Sequence, residues 1–288
     1  MIIGVDIGSF ATKTSKMINF ESRVSSIGNL VMNDYEFNLN GEKYFIEEGT
    51  NETEYRKVLR NNYMKLLYSA LVLSKCDRNI ELVLGLPISQ YREDKDRLIE
   101  MICRNSILRG EVNGNKEDYF IKKVDVYPEG VGAVSGGFTG IVVDIGGRTT
   151  DTCLITQHDN KRKIDIPGSE PCGTIGLYSN FIAVINSKYG LDLKLSDTER
   201  LLRNGLKIDG KPTDIIFAKQ IFFNFIDDLI NKLQVDYSLK TNDIMFTGGG
   251  SLLLEGIIKK RLPAATIAKN GVFANALAFE RFGEEIWR

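Results

Sequence analysis

Asp6-Ile7-Gly8-Ser9-Phe10-Ala11-Thr12-Lys13 aligns without gaps on Asp144-Ile145-Gly146-Gly147-Arg148-Thr149-Thr150-Asp151, with Asp, Ile, Gly and one Thr identical. Each stretch follows an apolar run, Ile2 to Val5 in the first and Ile141 to Val143 in the second, and each is followed by a β-like segment. A buried strand ending in a glycine turn accounts for either copy alone. Matching Asp, Ile and Thr in register points further, to duplicated half-domains whose turns face each other across a cleft. Ordinary tight hairpins are the plainer reading of the same residues.

Elementary chemistry says what such a pair could hold. Glycine lets backbone N–H groups come close to an anion, because no Cβ intervenes. The hydroxyls of Ser9, Thr12, Thr149 and Thr150 can donate to phosphate oxygens, and Lys13 brings a point charge. Asp6 and Asp144, at strand ends beside the turns, suit a hydrated Mg²⁺, which takes one or two carboxylates together with phosphate and water. Turn capping is their alternative role. A third cluster, Gly248-Gly249-Gly250, lies at a strand-to-helix junction and permits close approach of a flat group such as a nucleoside.

Outward from these stretches, strands and helices alternate. Strands are expected at 2–7, twice within 12–31, at 44–46 after the Asn40-Gly41 turn, and at 80–86, 119–127, 141–143, 149–155 and 244–246. Helices are expected at 53–73, 90–108, briefly from Glu129, and at 173–189, 196–203, 213–236, 251–261 and 272–282. The helix at 196–203 opens on Ser196 with Glu199 as a capping box. Ile216, Phe217, Ile221, Phe225, Ile226, Leu229 and Leu233 form a core stripe on 213–236. The class is α/β, with two similarly built halves.

Composition narrows the chemistry. The 288 residues carry 37 Lys+Arg against 38 Asp+Glu, a net charge of −1, which argues against coating nucleic acid through bulk charge. A single histidine, His158, leaves almost nothing for a His-based triad or zinc site. The four cysteines form no C-x-x-C pair and read as reduced core thiols. No basic leader and no long apolar run is visible, so the expected setting is cytoplasmic, without a membrane span.

The three glycine stretches resemble the actin, heat-shock chaperone and sugar kinase superfamily. Gly4 to Ser9 is similar to its first phosphate loop, Val143 to Asp151 to its second, and Thr247 to Gly250 to its adenosine motif. Tyr127 to Ala133 resembles the first connecting helix, and Gly271 to Phe279, with Asn275-Ala276, the second. Within the superfamily, the chain length, Leu84 to Tyr91 and Glu129 resemble the bacterial plasmid-segregation actins of the ParM/StbA type.

That resemblance implies a duplicated, ribonuclease H-like actin fold with two lobes around a nucleotide cleft. Residues 1–128 would form the first lobe, with a small subdomain at about 20–60. Residues 129–270 would form the second, with a small subdomain at about 173–212, and 271–288 a helix returning to the first. It implies Mg²⁺ and ATP (or GTP), self-assembly into filaments, hydrolysis within them, and a DNA-binding adaptor protein as partner. Asp6 would organise the metal and its waters, Lys13 would contact phosphates, Glu129 would orient the attacking water, and Asp144 would hold the metal shell. Gly8, Ser9, Thr12, Lys13, Gly146, Gly147, Thr149, Thr150 and Gly248 to Gly250 would bind the nucleotide, with Glu199 and Arg203 bordering the base. Arg148, at a variable loop position, reads as structural. A small-molecule kinase or a dehydratase-activator ATPase shares these loops. The kinase would need an acceptor site that is not evident, and the activator a second cysteine after Cys172, where none follows.

Overall fold

The computed structural model describes residues 1–28, 35–134, 137–158 and 161–288. The strand Ile2–Ile7 is buried at every position. Its side chains divide by alternation. Ile3, Val5 and Ile7 join Leu66, Leu67 and Leu71 of the helix Tyr63–Leu73 in one core. Gly4 and Asp6 face the other way, where the helix Ala274–Trp287 lies on the sheet so closely that a Cβ at Gly4 would collide with the Ala276 carbonyl. The second half repeats the scheme. Ile141, Val143 and Ile145 of Gly140–Ile145 enter a separate core with Phe181, Ile185, Phe222, Ile226 and Leu229, and Asp144 points away from it towards the cleft.

The duplication is complete at the level of topology. The first sheet runs Asn19–Glu21, Ala11–Thr14, Ile2–Ile7, Asn79–Leu86, Tyr119–Pro128, with Ile107–Leu108 at its far edge. The second runs Lys161–Glu170, Thr150–His158, Gly140–Ile145, Ile244–Thr247, Thr266–Ile267. In both, three antiparallel strands are extended by two parallel ones across helical connections. Each repeated stretch is the hairpin between the first two strands of its sheet.

A third sheet, of Asn115–Lys116, Gly110–Val112, Phe37–Leu39, Glu42–Asn51 and Arg23–Ser25, shares the core of the first sheet through Phe37, Leu39 and Tyr44. Two of its strands come from 110–116, where the sequence reading assigns none. Their signal is the turn Asn113-Gly114, which takes the same left-handed pair of conformations as the expected Asn40-Gly41 turn. Residues 29–31, within the strands expected at 12–31, and 159–160 of the hairpin beyond His158 lie outside the described residues.

Several helices depart from expectation for local reasons. The helix expected at 53–73 begins only at Tyr63, after a 3₁₀ turn at Lys57–Leu59. The stretch from Glu129 is a 3₁₀ turn, Val131–Ala133, because Gly130 enters it at φ 78°. The helix expected at 213–236 starts at Gln220; Pro212 and Thr213 belong to a strand, and Ile216, assigned to the core stripe, is exposed. The helix expected at 251–261 divides into Gly249–Leu253 and Glu255–Arg261. The capping box belongs to the 3₁₀ turn Leu195–Asp197 that leads into Thr198–Asn204, where Asp197 accepts the Lys194 N–H at 2.9 Å, and not to Ser196 with Glu199. Among the described residues, no helix is long and apolar enough to cross a membrane.

Candidate functional site

The two hairpins meet tip to tip. A Cβ on Gly147 would stand 2.7 Å from the Cβ of Phe10, so only glycine allows this approach. Both turns close alike, with Gly8 N–H donating to the Ala11 carbonyl at 3.1 Å and Gly146 N–H to Thr149 at 2.9 Å. Between and beneath them lies a cleft. Its walls include Asp6, Gly8, Ser9, Lys13, Glu129, Asp144, Gly146, Gly147, Thr149, Gly248 and Gly249, all expected from the sequence.

Strand register decides which hairpin side chains reach it. Asp6 lies opposite Lys13 and Asp144 opposite Asp151, so these four share the cleft face. Ile7 lies opposite Thr12 and Ile145 opposite Thr150, so the two threonines share the core face. Thr12 and Thr150 are therefore corrected as hydroxyl donors to a ligand. Thr12 Oγ1 pairs with Ser22 Oγ at 2.9 Å, and Thr150 Oγ1 donates to the Cys172 carbonyl at 2.7 Å. Gly250 supports the site from behind, packed under Ile145 and Thr174. Glu199 lines a neighbouring cavity with Phe10, Tyr178 and Arg23, and pairs with the exposed Arg203 at 3.3 Å; neither borders the cleft.

Several polar residues of the cleft carry no expectation from the sequence. Lys57, almost fully buried, places its ammonium between Asp6 Oδ1, at 3.3 Å, and Glu129 Oε1, in a shorter contact. Its backbone N–H donates to Gln90 Oε1 at 3.1 Å, and Gln90 Nε2 donates to the Tyr55 carbonyl. Arg60 donates to Ser9 Oγ at 2.6 Å and to the Ile7 carbonyl at 3.3 Å. Asp151 accepts from Thr149 Oγ1 at 3.0 Å. Asn275, quoted only as part of a motif, donates to Asp144 Oδ2 at 3.0 Å and accepts the Gly130 N–H at 2.8 Å, which ties Asp144 to the turn carrying Glu129. Arg148 lines the cleft and donates across its mouth to the Thr53 carbonyl. Only Asp151 had a usable signal, its place opposite Asp144 in the hairpin.

The electrostatics follow from these pairings. Burial alone would raise the Asp6 carboxyl, but Lys57 and Lys13, the latter at 3.9 Å, hold it below its ordinary value. Burial dominates for the other three acids. Glu129 is pushed up to about 7 despite Lys57, with Asp6 adding to the rise. Asp144 and Asp151 are each pushed up to about 6 by burial, with Asp151 and Asp6 adding to the rise at Asp144 and Glu129 adding to it at Asp151. No set of three or more His, Cys, Asp or Glu is arranged to cage a metal among the described residues. Two or three carboxylates in a polar cleft instead fit a hydrated Mg²⁺ that completes its shell with water and phosphate.

Residues 4–132 match the family model described as the actin-like proteins N-terminal domain, and residues 142–260 that of the archaeal actin homologue MreB-like C-terminal domain. The chain belongs to the actin-like proteins. Its fold is shared with solved structures at low identity. The archaeal actin homolog Ta0583 superposes with a TM-score of 0.83 at 20% identity, and its complex with ADP at 0.81 and 20%. A ParM filament of 15 strands from Clostridium botulinum gives 0.81 at 18% identity, and the pCBH ParM non-polymerisable quadruple mutant 0.82 at 19%. Each of these alignments covers 99% of both chains. No curated protein sequence matches the chain. This actin-like chain thus carries its repeated hairpins against one cleft, with four carboxylates and four basic side chains lining it.

Proposed function

We propose that this actin-like protein binds a magnesium–nucleoside triphosphate, ATP or GTP, in the interlobe cleft, assembles into filaments and hydrolyses the nucleotide within them. The observation that carries the reading is the meeting of two equivalent glycine hairpins, each with a buried aspartate beside it, over a cleft lined with lysine and arginine. Backbone N–H groups of both turns and the hydroxyls of Ser9 and Thr149 would bind the phosphates from two sides, with Lys13 adding charge. Gly248 and Gly249 would leave room for the nucleoside.

Asp6 and Asp144 would hold Mg²⁺ through water, and the ion would neutralise charge on the phosphates. Glu129 is the group suited to the attacking water. It is buried, titrates near 7, and is fixed by its own N–H to the Leu86 carbonyl at 2.9 Å. Lys57 steers its carboxylate, and Asn275 keeps the turn in step with Asp144. Positioning and charge stabilisation dominate such chemistry, so turnover is slow until assembly completes the geometry.

The filament reading draws support from the ParM filament with the same fold. By the same likeness we assign it to segregation of plasmid DNA in the cytoplasm through an adaptor protein, with no direct nucleic-acid contact, as the near-neutral charge allows. Lobe boundaries at 128 and 270, with 271–288 returning to the first lobe, belong to this proposal. Light scattering on adding Mg-ATP or Mg-GTP tests it: scattering rises above a critical protein concentration, and phosphate release follows. Bound nucleotide with no rise at high protein concentration would refute the filament. A non-assembling kinase or activator of the same superfamily would give that result.

A further inference from the structure

Residues 54–60 form an arm whose construction exceeds what a connection needs. Its hydrogen bonds run i to i+3, from Leu59 N to Arg56 O at 3.1 Å, Arg60 N to Lys57 O at 3.2 Å and Tyr63 N to Arg60 O at 3.3 Å. A 3₁₀ turn has three residues per turn, so Lys57 and Arg60 emerge on one face. That face meets the cleft. Arg56 points elsewhere, and its guanidinium is held bidentately by the fully buried Asp94 of the helix Ile88–Arg104, which anchors the arm.

Arg60 is buried, and the guanidinium spends its donors on three fixed acceptors: the Glu54 carbonyl at 3.2 Å, the Ile7 carbonyl at 3.3 Å and Ser9 Oγ at 2.6 Å. Ser9 is also held through its carbonyl, which accepts from Asn51 Nδ2 at 3.0 Å. A serine hydroxyl has one proton and two acceptor lone pairs. With a charged donor on its oxygen, the O–H of Ser9 is left to point away from Arg60, into the cleft that both residues line. The cation beside it also makes that O–H a stronger donor.

We propose that Arg60 is a positioning residue that fixes the Ser9 hydroxyl as a preset donor to a nucleotide phosphate. This rests on the phosphate-binding reading of the first hairpin and deepens it: the hairpin's side-chain donor is aimed from outside the hairpin, by the arm. The second hairpin has glycine at the equivalent position, Gly147, and needs no such support.

A double-mutant cycle tests the assignment, read as Mg-ATP affinity by calorimetry with thermal melting in parallel. Arg60→Met keeps the buried stem and removes the donors; Ser9→Ala removes the hydroxyl. Each single change is expected to weaken binding about tenfold, and the double variant no more than either alone, because both remove the same contact. Arg60→Lys, which retains one donor for Ser9, is expected to stay within about threefold of the parent. Losses that multiply in the double variant would overturn the proposal. So would Arg60→Lys falling as far as Arg60→Met at an unchanged melting temperature. If the Met variant does not fold, the Lys variant and its combination with Ser9→Ala replace it in the cycle, and multiplying losses there would overturn the proposal equally. Failure of the parent protein to bind Mg-ATP or Mg-GTP would reject the underlying function itself, a different result from additive losses in a parent that binds.

Discussion

The hairpins at 6–13 and 144–151 have the same register and the same closing hydrogen bond, yet they carry opposite partners at the position facing the aspartate. Lys13 stands across from Asp6, and Asp151 across from Asp144. The first hairpin therefore keeps its carboxylate ionised, whereas the second holds two acids that burial pushes up to about 6. Duplicated backbone geometry has been given two electrostatic characters. The first suits a phosphate-side contact supported by cations, and the second suits a site that gains from a divalent cation.

Changes that separate grip from chemistry should have the largest effect. Glu129 belongs to neither hairpin, so Glu129→Ala is expected to slow phosphate release by about 100-fold or more while nucleotide affinity stays within a few-fold. Single-turnover hydrolysis beside equilibrium binding checks this, and unchanged release would remove Glu129 from the mechanism. Next in size is the meeting of the hairpins. Gly147→Val drives a side chain into Phe10 and should weaken nucleotide binding about tenfold, whereas Gly256→Ala, on the helix Glu255–Arg261 outside the cleft with open space around its Cβ, should stay near the parent. Equal losses in both would mean that the tips do not act as a pair.

The difference between Lys13 and Asp151 gives the smaller effects. Lys13→Met should weaken triphosphate binding several-fold with little change in magnesium dependence, and Asp151→Asn should shift the magnesium requirement more than the nucleotide affinity. Titrating Mg²⁺ at fixed nucleotide distinguishes the two. The same acids set the pH dependence of the ligand-free chain. Glu129, Asp144 and Asp151 bind protons more tightly folded than unfolded, so stability should fall as pH rises from about 4 to about 7. Asp6, held low, works in the opposite sense and loses its contribution only as pH falls through its depressed value. Asp151→Asn should flatten the fall and raise the melting temperature at pH 8 by about 2–4 °C. A melting temperature that climbs steadily between pH 5 and pH 7 would show the acid cluster to be better compensated than its pairings indicate.

Much of this was legible in the sequence because it depends on short-range pattern. The repeated Asp-Ile-Gly turns, the apolar strands before them and the Gly248 to Gly250 junction all rest on local sterics and a two-residue period. Thr12 and Thr150 stand close to the glycines along the chain, but register across each hairpin sets them opposite Ile7 and Ile145, so they turn to the core and away from a ligand. Lys57, Arg60 and Gln90 could not be found this way. They lie more than 40 residues from the hairpin they serve, and a basic residue in a helical-looking stretch carries no mark of burial. Their cost, a helix that starts late at Tyr63, appears only once the partners are in place.

A structure determined with Mg²⁺ and a non-hydrolysable triphosphate tests the central claim most directly. The account predicts phosphates held between Gly8–Ser9 and Gly146–Gly147, with the metal's waters on Asp6 and Asp144. Nucleotide bound elsewhere, or hairpins drawn apart around an empty cleft, would contradict it.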